Sequence, residues 1–294
     1  MLIGSIREDS LVRIASAREV TRLGKNLIWT HRLDDHNVDL SIRTLTRVKA
    51  KCDRYGVKRI LAVGTSALRE ADDGNNFIRQ VKEVAGIDIT IISADREAEL
   101  TLKGIQCVKD FNNMPYSVVI DSGGGSTEII LCSDQYAKFS LPIGAVKLFE
   151  RFIINDPPTH SEINNIKSYI VEEFKPVLSS WPEQFISSPC PLIATGGTSS
   201  TIASMHLQLT SYEGDKVHGH TIPYGAITSM LENLVSMPLN ARLLVPGLEK
   251  ERADIIVVGI VIIMTLMELL KKEVLIVSDY GLMEGLLIEA EAGE

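Results

Sequence analysis

The sequence predicts an α/β protein of two compact domains that share a cleft, and three observations carry the prediction. The first is length, since 294 residues exceed one typical domain. The second is the alternation of short apolar runs with amphipathic stretches, read as strands and helices taking turns along the chain. The third is a repeat of element order. Each half resembles β-β-β-α-β-α-β-α, except that the first half shows two opening strands where the second shows three. The division falls at the break 112–115, giving domains 1–114 and 115–294, with the last helix able to pack back on the first domain.

Taken in order, apolar runs at 2–6 and 11–15 flank Arg7-Glu8-Asp9-Ser10 and predict an opening hairpin. Residues 16–38 are mixed and receive no assignment. Leu45, Val48, Cys52 and Tyr55 recur at helical spacing, with Gly56 placed for a left-handed cap. A strand follows over 57–63. Phe77, Val81 and Val84 mark a second helix closed by Gly86, and 87–92 make the next strand. From Ser93 a third helix carries Ala98, Leu102 and Ile105 on one face and ends near Asp110.

Beyond the break, strands are predicted at 117–122, 127–132 and 137–141 as a meander. Helices over 144–154 and 162–178, a strand over 191–195 and a helix from Ser199 come next. Helices over 224–235 and 253–270, a strand over 274–278 and a terminal helix over 282–290 complete the chain. The apolar run 255–267 is bounded by Asp254 and Glu268. It falls short of the about 20 residues a membrane span requires, so a buried core helix and no membrane partner are expected.

Hydrophobic residues make up 45% of the chain and mean hydropathy is +0.12, which predicts a well-packed core. Net charge is −8 with a pI near 5.4. That field disfavours nucleic acid, and any polyanionic substrate must be met by a local basic patch or by metal ions. Cys52, Cys107, Cys132 and Cys190 form no C-x-x-C pair and no signal-peptide pattern is present, so reduced, buried thiols in the cytoplasm are expected.

The most informative stretch is Val118-Val119-Ile120-Asp121-Ser122-Gly123-Gly124-Gly125-Ser126-Thr127-Glu128. It reads as strand, glycine turn, strand. Gly123, Gly124 and Gly125 allow positive φ and close approach to a ligand, and their amides with the Ser126 and Thr127 hydroxyls suit a phosphate. Asp121 and Glu128 beside such a cradle would repel the ligand without a hard cation, which implies Mg²⁺ or Mn²⁺. A hairpin that merely turns is the plain alternative.

Ser93-Ala94-Asp95-Arg96-Glu97-Ala98-Glu99 lies at a strand-to-helix junction, where acids often only complement the helix dipole. Facing a phosphate cradle across a cleft, Glu97 would act as general base on a water, with Asp95 and Glu99 as its alternatives. Arg69 lies beyond a buried strand and is read either as a phosphate clamp or as a solvated surface arginine. Thr195-Gly196-Gly197-Thr198 is a second strand–glycine–helix junction, explained as well by close packing as by a ligand. His218-Gly219-His220 has the spacing of a strand metal pair without a carboxylate or cysteine nearby, and a polar loop is the better reading.

Together these residues resemble the exopolyphosphatase and guanosine pentaphosphate phosphatase family, over nearly the whole chain. The resemblance rests on 18–23 (REVTRL), 63–69 (VGTSALR), 92–98 (ISADREA), 119–128 (VIDSGGGSTE), 143–150 (IGAVKLFE), 246–256 (PGLEKERADII) and 278–286 (SDYGLMEGL). It implies an RNase H-like fold, of the actin, sugar-kinase and Hsp70 type, in both domains. It also implies release of terminal phosphate from polyphosphate, or of the γ-phosphate from guanosine pentaphosphate, in the cleft. By resemblance Glu97 is the catalytic glutamate, Asp121 and Glu128 the metal-associated carboxylates, Gly123 to Thr127 the phosphate loop and Arg69 a cleft arginine. A homodimer is implied by the resemblance alone.

The chain departs from the family pattern at Arg96, Met283 and Ser122, and most of all at its start. The family opens with a strand ending in Asp-x-Gly-Ser/Thr-Asn-Ser, its first phosphate loop, and residue 1 matches a point just after it. The first domain is therefore expected to lack its first strand. Either the start codon lies upstream, or the chain is a catalytically impaired polyphosphate- or nucleotide-binding relative.

Overall fold

The structure is a computed structural model that describes residues 1–7, 10–107, 116–133, 136–186 and 190–292. The chain divides into two compact units, Met1–Cys107 with Leu282–Glu294, and Val108–Gly281. The break expected at 112–115 lies outside the described residues, as does the expected helix end near Asp110.

The first unit opens with β1 (Leu2–Arg7) and β2 (Ser10–Ser16), an antiparallel hairpin. The stretch without an assignment holds a short helix, α1 (Leu27–Thr30), and the start of α2 (Asp35–Arg54). α2 begins well before the apolar spacing signals it, because the Asp34 side chain caps it by accepting the Asn37 amide. Gly56 follows with φ 64°, the expected left-handed cap.

β3 (Ala62–Gly64) is shorter than the predicted 57–63, since β4 (Ile89–Ile91) pairs with it over three residues only. Between them lie α3 (Ser66–Glu70) and α4 (Gly74–Ala85). Phe77 and Val81 are buried as predicted, but Val84 is 62% exposed and Ala85 takes the core position instead. α5 (Ala94–Gln106) is capped by Ser93, which accepts the Arg96 amide.

In the second unit β5 (Ser117–Ser122), β6 (Thr127–Cys132) and β7 (Ala137–Leu141) form the predicted meander with the predicted bounds. α6 (Ala145–Phe152), α7 (His160–Leu178), α8 (Glu183–Ile186), β8 (Leu192–Thr195) and α9 (Gly196–His206) follow. α9 starts earlier than Ser199 because the glycines themselves form its first turn. Then come α10 (Gly214–Val217), β9 (Thr221–Pro223), α11 (Tyr224–Val235), α12 (Leu239–Arg242), α13 (Ile256–Leu269) and β10 (Val274–Val277). The last helix, α14 (Leu282–Ala292), belongs to the first unit and packs along α5.

The second unit is built on a six-stranded sheet in the order β7-β6-β5-β8-β10-β9. β5 is its centre, parallel to β8 and antiparallel to β6, and Val118, Val119 and Ile120 are fully buried. α13 is apolar all round and buried almost throughout, as the run 255–267 predicts, and among the described residues no helix is long and apolar enough to cross a membrane.

The first unit lacks such a central strand among its described residues. Its hairpin β1–β2 and its parallel pair β3–β4 are separate two-stranded sheets. A cavity of about 410 Å³ adjoins β3, lined by Val63 and Thr65, by Met1 and Arg18 near the hairpin's base, and by Ser41 and Val48 of α2. The buried Ser41 hydroxyl on its wall has no hydrogen-bond partner among the described residues.

Candidate functional site

In the second unit the parallel strands end together. Asp121 pairs in register with Thr195, and Ser278, just past β10, donates its amide to Ala194 O at 2.8 Å. This is the carboxyl edge of the sheet, where open α/β folds bind ligands. Asp121 lies opposite Glu128 across β5–β6, and Glu128 opposite Ser140 across β6–β7, so the three side chains share one face. Glu128 is 2% exposed and accepts a hydrogen bond from Ser140 Oγ at 2.9 Å. Gly196 has φ 89°, and a Cβ there would sit 2.7 Å from Asp121 Oδ1. The Asp121 carboxylate is therefore packed against the first turn of α9.

The glycine turn does something the sequence does not announce. Its Gly123 and Gly124 carbonyls accept the first amides of α6, from Ala145, Val146 and Lys147, at 3.0 to 3.2 Å. Those amides have no partner within their own helix, and the turn satisfies them. Neither Gly123 nor Gly124 has the expected positive φ; the requirement is for space. A Cβ on Gly144 would lie 2.3 Å from Gly124 O, and one on Gly124 would lie 3.1 Å from the Val146 side chain. The turn closes on itself through Gly123 N to Ser126 O at 2.9 Å, while the Gly124 and Gly125 amides meet no backbone acceptor among the described residues. Ser126 is buried. Thr127 is fully buried, and its hydroxyl donates to Ile143 O, so that predicted phosphate donor instead ties β6 to the approach to α6.

In the first unit α3 and α5 start at the carboxyl ends of β3 and β4. This brings together two residues singled out separately in the sequence. Arg69 Nη1 donates to Glu97 Oε2 at 2.7 Å and to Ile92 O at 3.0 Å. Glu97 is buried, whereas Asp95 and Glu99 are exposed, so of the three candidate acids only Glu97 is held away from water. Burial pushes the Glu97 carboxyl above its usual range, against the hydrogen bond and charge of Arg69. A buried, partly desolvated carboxylate held by one guanidinium is suited to accept a proton.

One further residue escaped the sequence reading. A Cβ on Gly197 would sit 2.0 Å from Arg252 Nη2, so the Arg252 guanidinium covers the start of α9. It is oriented by Glu249, whose Oε2 accepts from Nε at 2.6 Å. Arg252 sits in a 3₁₀ turn, Lys250–Arg252, where no periodicity marks it; the only signal is its place in PGLEKERADII. His218 and His220 do not pair with each other. His220 Nε2 meets His206 Nδ1 at 2.8 Å, and the His218 ring packs on Tyr280 with centroids 4.7 Å apart. No cluster of three or more His, Cys, Asp or Glu that would hold a metal occurs among the described residues. A Mg²⁺ ion that takes one or two carboxylates and otherwise waters and substrate phosphates needs no such cluster, and the one-face pair Asp121 and Glu128 fits it.

Known proteins resemble the chain throughout its length. Exopolyphosphatase 2 of Mycobacterium tuberculosis is 26% identical over 279 residues, which cover 92% of this chain and 86% of that protein. A bifunctional 3-dehydroquinate synthase/phosphatase of Fusobacterium nucleatum is 28% identical over 288 residues, but the chain spans only 41% of its length. The crystal structure of the Aquifex aeolicus member of the Ppx/GppA family superposes with a TM-score of 0.80 at 29% identity, covering 99% of this chain and 93% of that one. The α/β architecture is thus the actin-like ATPase fold that the sequence predicts. With residues 2–294 matching the Ppx/GppA phosphatase family, the chain belongs to that family.

Proposed function

We propose that the chain is a hydrolase of phosphoanhydrides that releases terminal phosphate from inorganic polyphosphate or from guanosine pentaphosphate. The observation that carries this reading is the buried Glu97 carboxylate held at 2.7 Å by Arg69. Glu97 accepts a proton from the attacking water, and Arg69 fixes the carboxylate that does so. The Gly123–Gly125 turn and the Arg252 guanidinium are the anion-holding groups, with backbone amides and a fixed cation as donors. Asp121 and Glu128 are the residues that would hold Mg²⁺ or Mn²⁺, which when bound neutralises charge on the transferred phosphoryl group.

The test is phosphate release from polyphosphate and from guanosine pentaphosphate by the purified chain and by Glu97→Gln. The variant is expected to lose about 10²- to 10⁴-fold in kcat, the range of a general base. Equal release by both proteins would overturn the assignment. A second reading, a phosphate binder that does not turn over, is favoured by the unjoined sheets of the first unit. It predicts substrate binding by the parent chain with release no faster than the variant's.

A further inference from the structure

We infer that the outer face of α2 is a track for the body of a long polyphosphate chain, separate from the groups that act on its end. The inference rests on the polyphosphate arm of the proposed function and extends it. In a protein of net charge −8, residues 43–59 hold seven Lys and Arg, at 43, 47, 49, 51, 54, 58 and 59, against one acid, Asp53. The fold lays them out in a line. α2 buries Asn37, Ser41, Thr44 and Cys52 and packs Val38, Ile42 and Leu45 on the core of the unit. With about 3.6 residues per turn, Arg43, Arg47, Lys51 and Arg54 fall in one arc of about 80° on the opposite side.

Arg43, Arg47 and Arg54 are exposed and Lys51 is half-buried. At about 1.5 Å per residue the stripe is about 17 Å long, and the exposed Lys58 and Arg59 follow it in sequence beyond Gly56. Acids pair with it in mid-stripe, at Arg47, and on its flank. Glu19 pairs with Arg47, and Asp53 pairs with Lys49 at 2.6 Å on the flank of the helix.

A line of cations of this length suits a linear polyanion, and it offers a short phosphate group nothing beyond its first contacts. Tyr55, 51% exposed, is the one aromatic side chain in residues 43–59, whereas proteins that hold single-stranded nucleic acid combine cations with a series of stacking rings. Polyphosphate is therefore the occupant the chemistry favours. The track also supplies the local basic patch that an acidic protein needs to meet a polyanion.

The experiment is equilibrium binding of long-chain polyphosphate and of tripolyphosphate in chelator-containing buffer, where turnover plays no part, so a failure of catalysis and a failure of the track are read separately. Arg43→Gln/Arg54→Gln is compared with the parent and with Arg79→Gln/Lys82→Gln, which removes the same charge from α4. The stripe variant is expected to lose about tenfold in long-chain affinity, with a shallower salt dependence, as lost ion pairs with a polyanion require. Its tripolyphosphate affinity and the α4 variant are expected to match the parent. Long-chain affinity within twofold of the parent overturns the track, and so does an equal loss in both double variants. Displacement of polyphosphate by single-stranded DNA at equal or lower phosphate concentration overturns the choice of occupant.

Discussion

Glu97 and Arg69 show how a single contact sets the chemistry of a side chain. Burial raises the Glu97 carboxyl and Arg69 lowers it, so removing the guanidinium leaves burial unopposed. Arg69→Gln is therefore expected to move the acid limb of the kcat/KM profile to higher pH, because a general base works only when ionised. An unmoved limb would show that Arg69 does not tune the base. Spacing alone leaves Asp95 and Glu99 as alternatives to Glu97, which the resemblance to the family singles out. Three acids in one helical turn differ only in which of them the fold covers, and that depends on packing between elements. Thr127 was misleading for a related reason, since a hydroxyl after a glycine turn looks the same whether it faces a ligand or Ile143 O. Asp121, by contrast, was readable: a carboxylate that ends an apolar run is placed at a strand end by its position in the chain.

Among the elements, the glycine turn and α6 act as one part, because the turn's carbonyls accept the helix's first amides. Gly144→Ala is expected to cost about 1–3 kcal/mol, the range for overpacking. Its added carbon would also push Gly124 away and weaken phosphate binding. Denaturant unfolding and phosphate affinity together check this, and a variant unchanged in both would contradict the tight docking. At the start of α7, Thr159 and Glu162 form a reciprocal capping box. Burial works to raise the Glu162 carboxyl, but donors on Thr159, Ile154 and Asn155 outweigh it and hold the group down at about 2, against an ordinary 4.5. A lowered carboxyl stabilises the fold above its ordinary value and loses that effect as pH falls. Glu162→Gln should thus melt below the parent at neutral pH, and the gap should close between about 4.5 and about 2. The meander was legible to the residue because turn residues bracket strong apolar runs. β3 was not, since its length is set by the three residues of β4 that pair with it.

On the scale of the molecule, the second unit is one continuous stretch of chain, while the first is assembled from residues on both sides of it. α14 is fastened to the first unit by polar links: Glu284, 1% exposed, accepts from Arg13 Nε at 3.0 Å, and Glu289 pairs with Arg96. A chain ending at Gly281 is expected to keep hydrogen-exchange protection in β5 and β8 and to lose it in β1, β2 and α5. Equal protection throughout would mean that α14 is dispensable. The α/β class was readable from the alternation of strands and helices, but the way α14 closes the first unit rests on pairings distant in sequence. The same discontinuity imposes an order on biosynthesis. As the polypeptide leaves the ribosome, residues 1–107 emerge before the second unit yet must wait, without their closing helix, until all of Val108–Gly281 has been made. The unit begun first is completed last, and during that interval the nascent chain exposes the surface of α5 that α14 will cover.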